Sequence, residues 1–128
     1  MKSSSASSAE TERLGAELAE SLRPGDVVLV GGELGSGKTT FVRGACRALG
    51  VAGPVTSPTF TIGHLYEGSV EIAHLDLYRL SKIDPSIFED YVTPDRITFI
   101  EWPAELESAT HRVKLEHAGG DRRTVEVV

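Results

Sequence analysis

Three features of the sequence predict an α/β fold in which helices flank a mixed sheet of parallel and antiparallel strands. The apolar run VVLVG at residues 27–31 has the composition of a strand buried on both faces, as in parallel sheets. Stretches with apolar residues at helical spacing lie on either side of it. Later extended segments are joined at glycines, which predicts antiparallel hairpins. A chain of 128 residues is long enough for one domain with a core and too short for two.

The first element is expected to be a helix that follows a flexible tail. Residues 1–8 are rich in serine, and we predict that they form this tail while residues 9–128 form the folded domain. Leucines recur every four residues from Leu14 to Leu22, which predicts a helix over residues 9–22 with one apolar face. Proline and glycine at the next positions are expected to end it.

A second helix is predicted over residues 38–49, closed by a glycine at position 50. Its inward face is expected to carry Phe41, Ala45, Ala48 and Leu49. Cys46 neighbours this face, and without a second cysteine or a basic pocket it is interpreted as a small buried hydrophobe.

The rest of the chain is predicted to alternate extended segments with one short helix. FTIGHLY and SVEIAHLD form a hairpin linked at Glu67 and Gly68, and a short helix is expected over residues 81–91. ITFIEW is a further strand, and RVKLEH pairs with TVEVV around two glycines to form a closing hairpin.

Composition excludes several classes of protein. The net charge of −6 and the pI near 5.2 oppose strong direct binding to nucleic acid. No apolar run approaches the roughly 18 residues that cross a bilayer, and the start has no apolar signal core. With a single cysteine, a cytoplasmic location is expected. The acidic middle of the chain is interpreted either as a solvated face or as a surface for a basic partner.

The segment GELGSGKT, residues 32–39, satisfies the Walker A pattern G-x-x-x-x-G-K-[ST] between a predicted strand and a predicted helix. Glycines let backbone N–H groups converge on a phosphate chain beside the positive N-terminus of the helix. Lys38 adds a mobile charge for the terminal phosphates, and Thr39 places a hydroxyl where Mg²⁺ can be held. The pattern therefore predicts a nucleotide site.

Missing residue types favour ATP over GTP. The chain has no asparagine, so the guanine-reading N-K-x-D motif is absent, and it has no glutamine to orient a water. Asp76 and Glu101 each close a predicted strand, where an acid can meet Mg²⁺ or a water beside the phosphates; the alternative is a solvated acid. His74 shares the strand face of Asp76, and its role is left open between a core histidine and a functional one.

The motifs GELGSGKTTFVRG, VTSPTFTIGHLY, HLDLYRL and FIEWP resemble, in order and spacing, the TsaE family of bacterial ATPases in threonylcarbamoyladenosine modification of tRNA. The resemblance covers about residues 8–103. It implies a P-loop NTPase-type α/β domain with a mixed sheet, the cofactors ATP and Mg²⁺, and the partners TsaD and TsaB. We accordingly expect an accessory Mg-dependent ATPase that is a monomer in isolation, slow alone and stimulated by its partners.

The resemblance also assigns residues to roles. The phosphate cradle it implies consists of Gly35, Ser36, Gly37, Lys38, Thr39 and Thr40. Thr39 and Glu101 are the implied magnesium ligands, and Asp76 is the acid tied to hydrolysis. Residues 57–60 are similar to a switch segment in which Thr59 senses the terminal phosphate. Further nucleotide contacts are implied for Thr11, Trp102 and an arginine that is either Arg122 or Arg123, with Arg122 taken as the candidate.

Two other functions remain compatible with these residues. A small-molecule kinase would need an acceptor pocket and usually a basic lid, and the residues after Glu101 contain no arginine-rich helix. An interaction module with a vestigial loop fits the acidic middle of the chain, but it gives Lys38, Thr39, Asp76 and Glu101 no use. Incubation with ATP and candidate acceptors distinguishes a kinase from an accessory ATPase. A nucleotide titration tests whether the protein is only an interaction module.

Overall fold

A computed structural model describes residues 2–33, 35–55, 63–77, 90–101 and 109–128. Two helices, α1 (Ser8–Ala19) and α2 (Lys38–Ala48), lie within these residues. The strands are β1 (Lys2–Ser5), β2 (Val27–Gly32), β3 (Gly63–Glu67), β4 (Glu71–Asp76), β5 (Arg96–Glu101), β6 (His111–His117) and β7 (Arg123–Val127). They form one sheet in the order β1-β7-β6-β2-β5-β4-β3.

The centre of the sheet is parallel and its outer pairs are antiparallel. Strand β2 pairs in parallel with β5 on one side and with β6 on the other, and β4 pairs in parallel with β5. The hairpins β3–β4 and β6–β7 and the outer pair β1–β7 are antiparallel. The predicted α/β fold with a mixed sheet is confirmed, and both predicted hairpins are present.

The N-terminal segment differs from the prediction of a flexible tail. Residues 2–5 pair with β7 as an edge strand, and Ser5 is buried. Serine-rich composition predicts weak structure, but a strand can still form where β7 offers an unpaired row of backbone groups. Residues 2–5 therefore belong to the sheet of the folded domain.

Helix α1 begins and ends earlier than the leucine spacing suggests. The side chain of Ser7 accepts a hydrogen bond of 3.2 Å from the backbone N–H of Glu10, and the Glu10 carboxylate accepts one of 2.7 Å from Ala6. Such reciprocal capping defines a helix start. Leu18 and Leu22 are buried as the stripe predicts, although Leu22 lies in the turn after the helix.

The two helices cross on one face of the sheet at two glycines. A Cβ atom at Gly15 would lie 2.1 Å from the carbonyl oxygen of Phe41, and one at Gly44 would lie 1.9 Å from that of Glu12. No side chain fits either place, so the backbones of α1 and α2 are in direct contact. Glycine is unfavourable inside a helix, and here the close approach explains its presence.

The core has two parts, one on each face of the sheet. The larger part packs α1 and α2 against residues such as Val28, Phe99 and Leu115. The smaller part contains Leu29 and Ile100 on the opposite face.

Helix α2 agrees with the prediction except at its end. Phe41 and Ala45 are buried, whereas Ala48 is exposed, so its predicted inward orientation is wrong. Val42 is buried instead, because the contact between α1 and Gly44 determines which face of α2 is covered. Cys46 is fully buried, and burial raises the pKa of its thiol to about 12, which confirms the interpretation as a buried hydrophobe.

Some predictions fall outside the described residues. The short helix expected over residues 81–91 does so except at Asp90 and Tyr91, which are helical. In the described part of the chain, no helix has the length and apolar composition that crossing a membrane requires.

Candidate functional site

The predicted site residues meet at the carboxyl edge of the parallel strands. Strands β2, β4 and β5 run in the same direction and end at Gly32, Asp76 and Glu101. Asp76 lies directly opposite Glu101 in the register of β4 and β5, and Val30 of β2 lies opposite Glu101 on the other side. The carboxyl edge of an open α/β sheet is the usual place for a ligand crevice.

The loop between β2 and α2 depends on glycine at three positions. Gly32, Gly35 and Gly37 have φ values of 147°, 79° and 98°, which side-chain-bearing residues rarely adopt. Gly32 also lacks room, since a Cβ there would lie 2.5 Å from the carbonyl oxygen of Leu115 and 2.6 Å from the hydroxyl of Ser36. The loop can therefore turn its backbone N–H groups toward one concavity at the start of α2.

Lys38 opens α2, and its side chain folds back over the loop. Its ammonium group donates hydrogen bonds of 2.7 Å and 3.0 Å to the carbonyl oxygens of Gly32 and Glu33. Burial lowers the pKa of Lys38, and the negative charges of Glu101 and Asp76 oppose that shift. A cation in this position, partly desolvated and held by neutral carbonyls, is suited to an anionic ligand.

Thr39, Glu101 and His74 form a continuous polar chain beside the loop. The Thr39 hydroxyl donates to Glu101, at 3.0 Å from Oε1 and 3.1 Å from Oε2. His74 Nε2 makes a short contact with Oε2 of the same carboxylate. Glu101 is only 2% exposed and His74 is fully buried, so the predicted strand-end acid is not a solvated one. The sequence placed Thr39 and Glu101 in the site, but it left the role of His74 open.

The other wall of the loop is formed by α1 and β7. A Cβ at Gly37 would lie 3.7 Å from both the Thr11 methyl group and Nε of Arg123. The Arg123 guanidinium also donates a 3.1 Å hydrogen bond to the carbonyl oxygen of Gly35. Thr11 and Arg123 therefore both lie beside the loop. Arg122, the candidate taken from the resemblance, is exposed in the turn before β7 and makes no contact with the loop among the described residues.

The remaining predicted site residues have different positions. Ser36 is buried, and its hydroxyl has no hydrogen-bond partner within the described residues. Thr40 is half-buried in the first turn of α2. Thr59 and Trp102 lie outside the described residues, as does the whole predicted switch segment 57–60.

Two oxygen donors of the kind that Mg²⁺ prefers, the Thr39 hydroxyl and the Glu101 carboxylate, lie side by side at this edge. No group of three or more His, Cys, Asp or Glu side chains capable of holding a metal ion occurs among the described residues. Mg²⁺ is usually bound through one or two protein oxygens together with phosphates and water. The Thr39 hydroxyl and the Glu101 carboxylate, side by side next to the loop, match that habit.

The fold and the loop together define a class of protein. A buried parallel strand leads through a Walker A segment into a helix, at the carboxyl edge of a mixed sheet. This arrangement is that of an α/β domain of P-loop NTPase type.

The chain belongs to the TsaE family. The family model "Threonylcarbamoyl adenosine biosynthesis protein TsaE" matches residues 5–125. The protein named tRNA threonylcarbamoyladenosine biosynthesis protein TsaE from Synechocystis is 40% identical over 107 residues, which are 75% of this chain and 66% of that protein. The protein of the same name from Streptomyces coelicolor is 40% identical over 118 residues, covering 84% of this chain and 80% of that protein.

A solved structure gives the same result at the level of the fold. The crystal structure of YdiB from Bacillus subtilis superposes with a TM-score of 0.77 at 28% sequence identity. The superposition covers 98% of this chain and 82% of that one.

Proposed function

We propose that this protein binds and hydrolyses ATP with Mg²⁺, and that it acts as an accessory protein to TsaD and TsaB in threonylcarbamoyladenosine modification of tRNA. The observation that carries the proposal is the convergence of Lys38, Thr39 and Glu101 at one loop, with the Thr39 hydroxyl bonded to a buried carboxylate. The family to which the chain belongs supports the pathway.

The loop and Lys38 bind the phosphate chain in this proposal. Lys38 exchanges its hydrogen bonds to the carbonyls of Gly32 and Glu33 for charged phosphate oxygens. Charge-assisted hydrogen bonds are stronger than those to neutral carbonyls, so the exchange is favourable. The N–H groups at the start of α2 add the positive end of the helix dipole.

Thr39 and Glu101 hold the magnesium ion in this proposal. When bound, Mg²⁺ neutralises charge that develops on the terminal phosphates during transfer. The Thr39 proton is directed at Glu101, which leaves the lone pairs of the hydroxyl oxygen for a cation.

Asp76 is assigned to the hydrolytic water. It lies opposite Glu101 at the end of the neighbouring strand, and its negative charge acts on Lys38. The chain contains no glutamine that could orient a water, so a carboxylate at this edge is the natural candidate for that task.

Partner proteins are expected to accelerate the reaction. The Arg123 guanidinium donates a hydrogen bond to the carbonyl oxygen of Gly35 and so lies against the loop backbone. A charge-neutralising arginine supplied to the transferred phosphate commonly accelerates phosphoryl transfer by about 10³–10⁵. In this proposal the partner complex supplies or directs that arginine, so hydrolysis by the isolated chain is slow.

The test compares Asp76→Ala with wild type and with the control Asp95→Ala. Asp95 is exposed and precedes β5, so it lies at the opposite edge of the sheet from Asp76. We expect Asp76→Ala to retain ATP affinity by calorimetry but to lose hydrolysis on the order of 100-fold or more, as for removal of a positioned acid or base. Asp95→Ala should match wild type in both measurements.

Phosphate release is measured with and without the purified TsaD–TsaB complex. Stimulation of wild type by the complex supports the accessory role. A wild-type protein that binds no ATP contradicts the proposal, as does one that hydrolyses ATP equally fast alone and in the mixture. Transfer of phosphate to an added acceptor in place of release would favour the kinase alternative.

A further inference from the structure

His74 is a buried titratable residue that the proposed reaction does not use. It lies on β4 two residues before Asp76, is fully buried, and points to the face of the sheet that α2 covers. Its ring lies 6.2 Å from that of Tyr66, and its Nε2 contacts Oε2 of Glu101. Among the described residues, the imidazole ring makes its only hydrogen bond to the carboxylate proposed to hold magnesium.

The direction of this hydrogen bond follows from the groups involved. Glu101 already accepts a hydrogen bond from the Thr39 hydroxyl, and a carboxylate that binds a cation can only accept. His74 Nε2 must then be the donor. The other ring nitrogen, Nδ1, has no hydrogen-bond partner among the described residues, so Nε2 is the ring nitrogen whose N–H the structure uses.

A purely structural role explains this arrangement poorly. Leaving a ring nitrogen buried without a partner costs free energy, and an apolar side chain of similar size would avoid that cost. What an apolar side chain cannot do is hold Oε2. With Thr39 as its only side-chain partner among the described residues, the carboxylate would be free to rotate, whereas two donors from different elements hold it in one orientation.

We propose that His74 is a positioning residue for the magnesium site: its Nε2–H anchors Oε2 of Glu101, so that Glu101 accepts the hydrogen bond of the Thr39 hydroxyl and the lone pairs of the hydroxyl oxygen are left for the cation. The inference rests on the proposed function, since it concerns the same site. Outer partners that orient metal-binding carboxylates typically contribute about 10-fold to 100-fold in metal affinity.

The chain allows a matched pair of variants. In His74→Gln the amide nitrogen reaches about as far as Nε2 does, while in His74→Asn it reaches only as far as Nδ1. Both replacements are neutral amides, so they differ mainly in whether a donor reaches Glu101. ADP affinity is measured by calorimetry with Mg²⁺ and with EDTA, and thermal unfolding is recorded for each variant.

We expect His74→Asn to lose about 10-fold to 100-fold of the increase in ADP affinity that Mg²⁺ produces, with the affinity in EDTA unchanged. His74→Gln should retain most of that increase. Equal magnesium dependence in wild type and His74→Asn overturns the inference and leaves nucleotide binding intact. Equal losses in the two variants also overturn it. A wild type that binds ADP neither with Mg²⁺ nor in EDTA overturns the proposed function itself.

A measurement on the wild type keeps the inference testable if either variant fails to fold. Nitrogen-15 NMR of the histidine rings distinguishes the two neutral tautomers. We expect His74 to carry its proton on Nε2, and its ring resonances to shift when Mg·ADP is added but less with ADP in EDTA. A proton on Nδ1, or equal shifts under both conditions, contradicts the role.

Discussion

The helix crossing and the glycine-rich loop both depend on glycine, but for different physical reasons. At the crossing of α1 and α2, Gly15 and Gly44 have ordinary helical positions, and a Cβ at either would strike a carbonyl oxygen of the other helix. In the loop, Gly35 and Gly37 have positive φ, and a Cβ there would meet nothing closer than 3.5 Å. The crossing needs the absence of a side chain, whereas Gly35 and Gly37 need only a backbone conformation; Gly32, where the loop leaves β2, needs both.

The two regions are therefore expected to serve different purposes, the crossing for stability and the loop for ligand binding. The helix residues around the crossing belong to the larger part of the core, and the glycines let the two helix backbones touch. The loop stands at the carboxyl edge of the sheet, beside the partly desolvated lysine and the two acids that are proposed to bind the nucleotide and its metal. Changes at the crossing should therefore alter the free energy of unfolding, and changes at the loop should alter nucleotide affinity.

The largest effect on stability is expected for Gly44→Ala. The added methyl would lie 1.9 Å from a backbone carbonyl, which cannot move without shifting α1, and overpacking of this kind costs about 3 kcal/mol or more. Gly53→Ala is the control, because a Cβ at Gly53 meets nothing within 4 Å. Urea unfolding followed by circular dichroism measures both. A Gly44→Ala protein as stable as the Gly53→Ala protein would show that the helices are not in backbone contact.

Lys38→Ala should act on the ligand and spare the fold. It removes a charge-assisted contact worth about 1.5–3 kcal/mol, or roughly tenfold to a hundredfold in the Kd for ATP. The free energy of unfolding should change by less than about 1 kcal/mol, because relief from burial of the charge offsets the loss of two hydrogen bonds. Calorimetry and urea unfolding test the two parts.

Lys114→Ala is the matched control for that experiment, because Lys114 is exposed on β6. It should leave both ATP affinity and stability near wild type. Unchanged ATP affinity in Lys38→Ala would contradict the assignment of the loop. A large loss of stability in Lys38→Ala would mean that the loop contributes to the fold as well as to ligand binding.

The smallest effect is expected at Ser7, whose hydrogen bonds join the start of α1 to Thr11 beside the loop. Its side chain caps α1, and its carbonyl oxygen accepts hydrogen bonds from the backbone and hydroxyl of Thr11 beside the loop. Ser7→Ala should cost about 1 kcal/mol of stability through loss of the cap. The exposed neighbour Ser8→Ala should cost less than about 0.5 kcal/mol. Equal thermal midpoints for the two variants would rule out the cap.

Local patterns predicted most of the elements but not all of their boundaries. The valine run predicted β2, and glycine-joined segments predicted the hairpins β3–β4 and β6–β7. Strand β1 was missed because it is formed by pairing with the distant β7, and its serines carry no strand signal of their own. Helix α1 starts one residue before the predicted position, because the bonds of Ser7 and Glu10 define its start and the leucine spacing does not.

Within the site, the sequence alone determined the groups whose identity depends on local spacing. The Walker A segment is contiguous, so Lys38 and Thr39 follow from the pattern, and Asp76 and Glu101 follow from their places at strand ends. Tertiary structure alone decided which distant side chains meet them. Parallel pairing of β4 with β5 brings His74 to Glu101, and the β6–β7 hairpin brings Arg123 rather than Arg122 to Gly35. Register and strand order set these contacts, and neither quantity is encoded in a short stretch of residues.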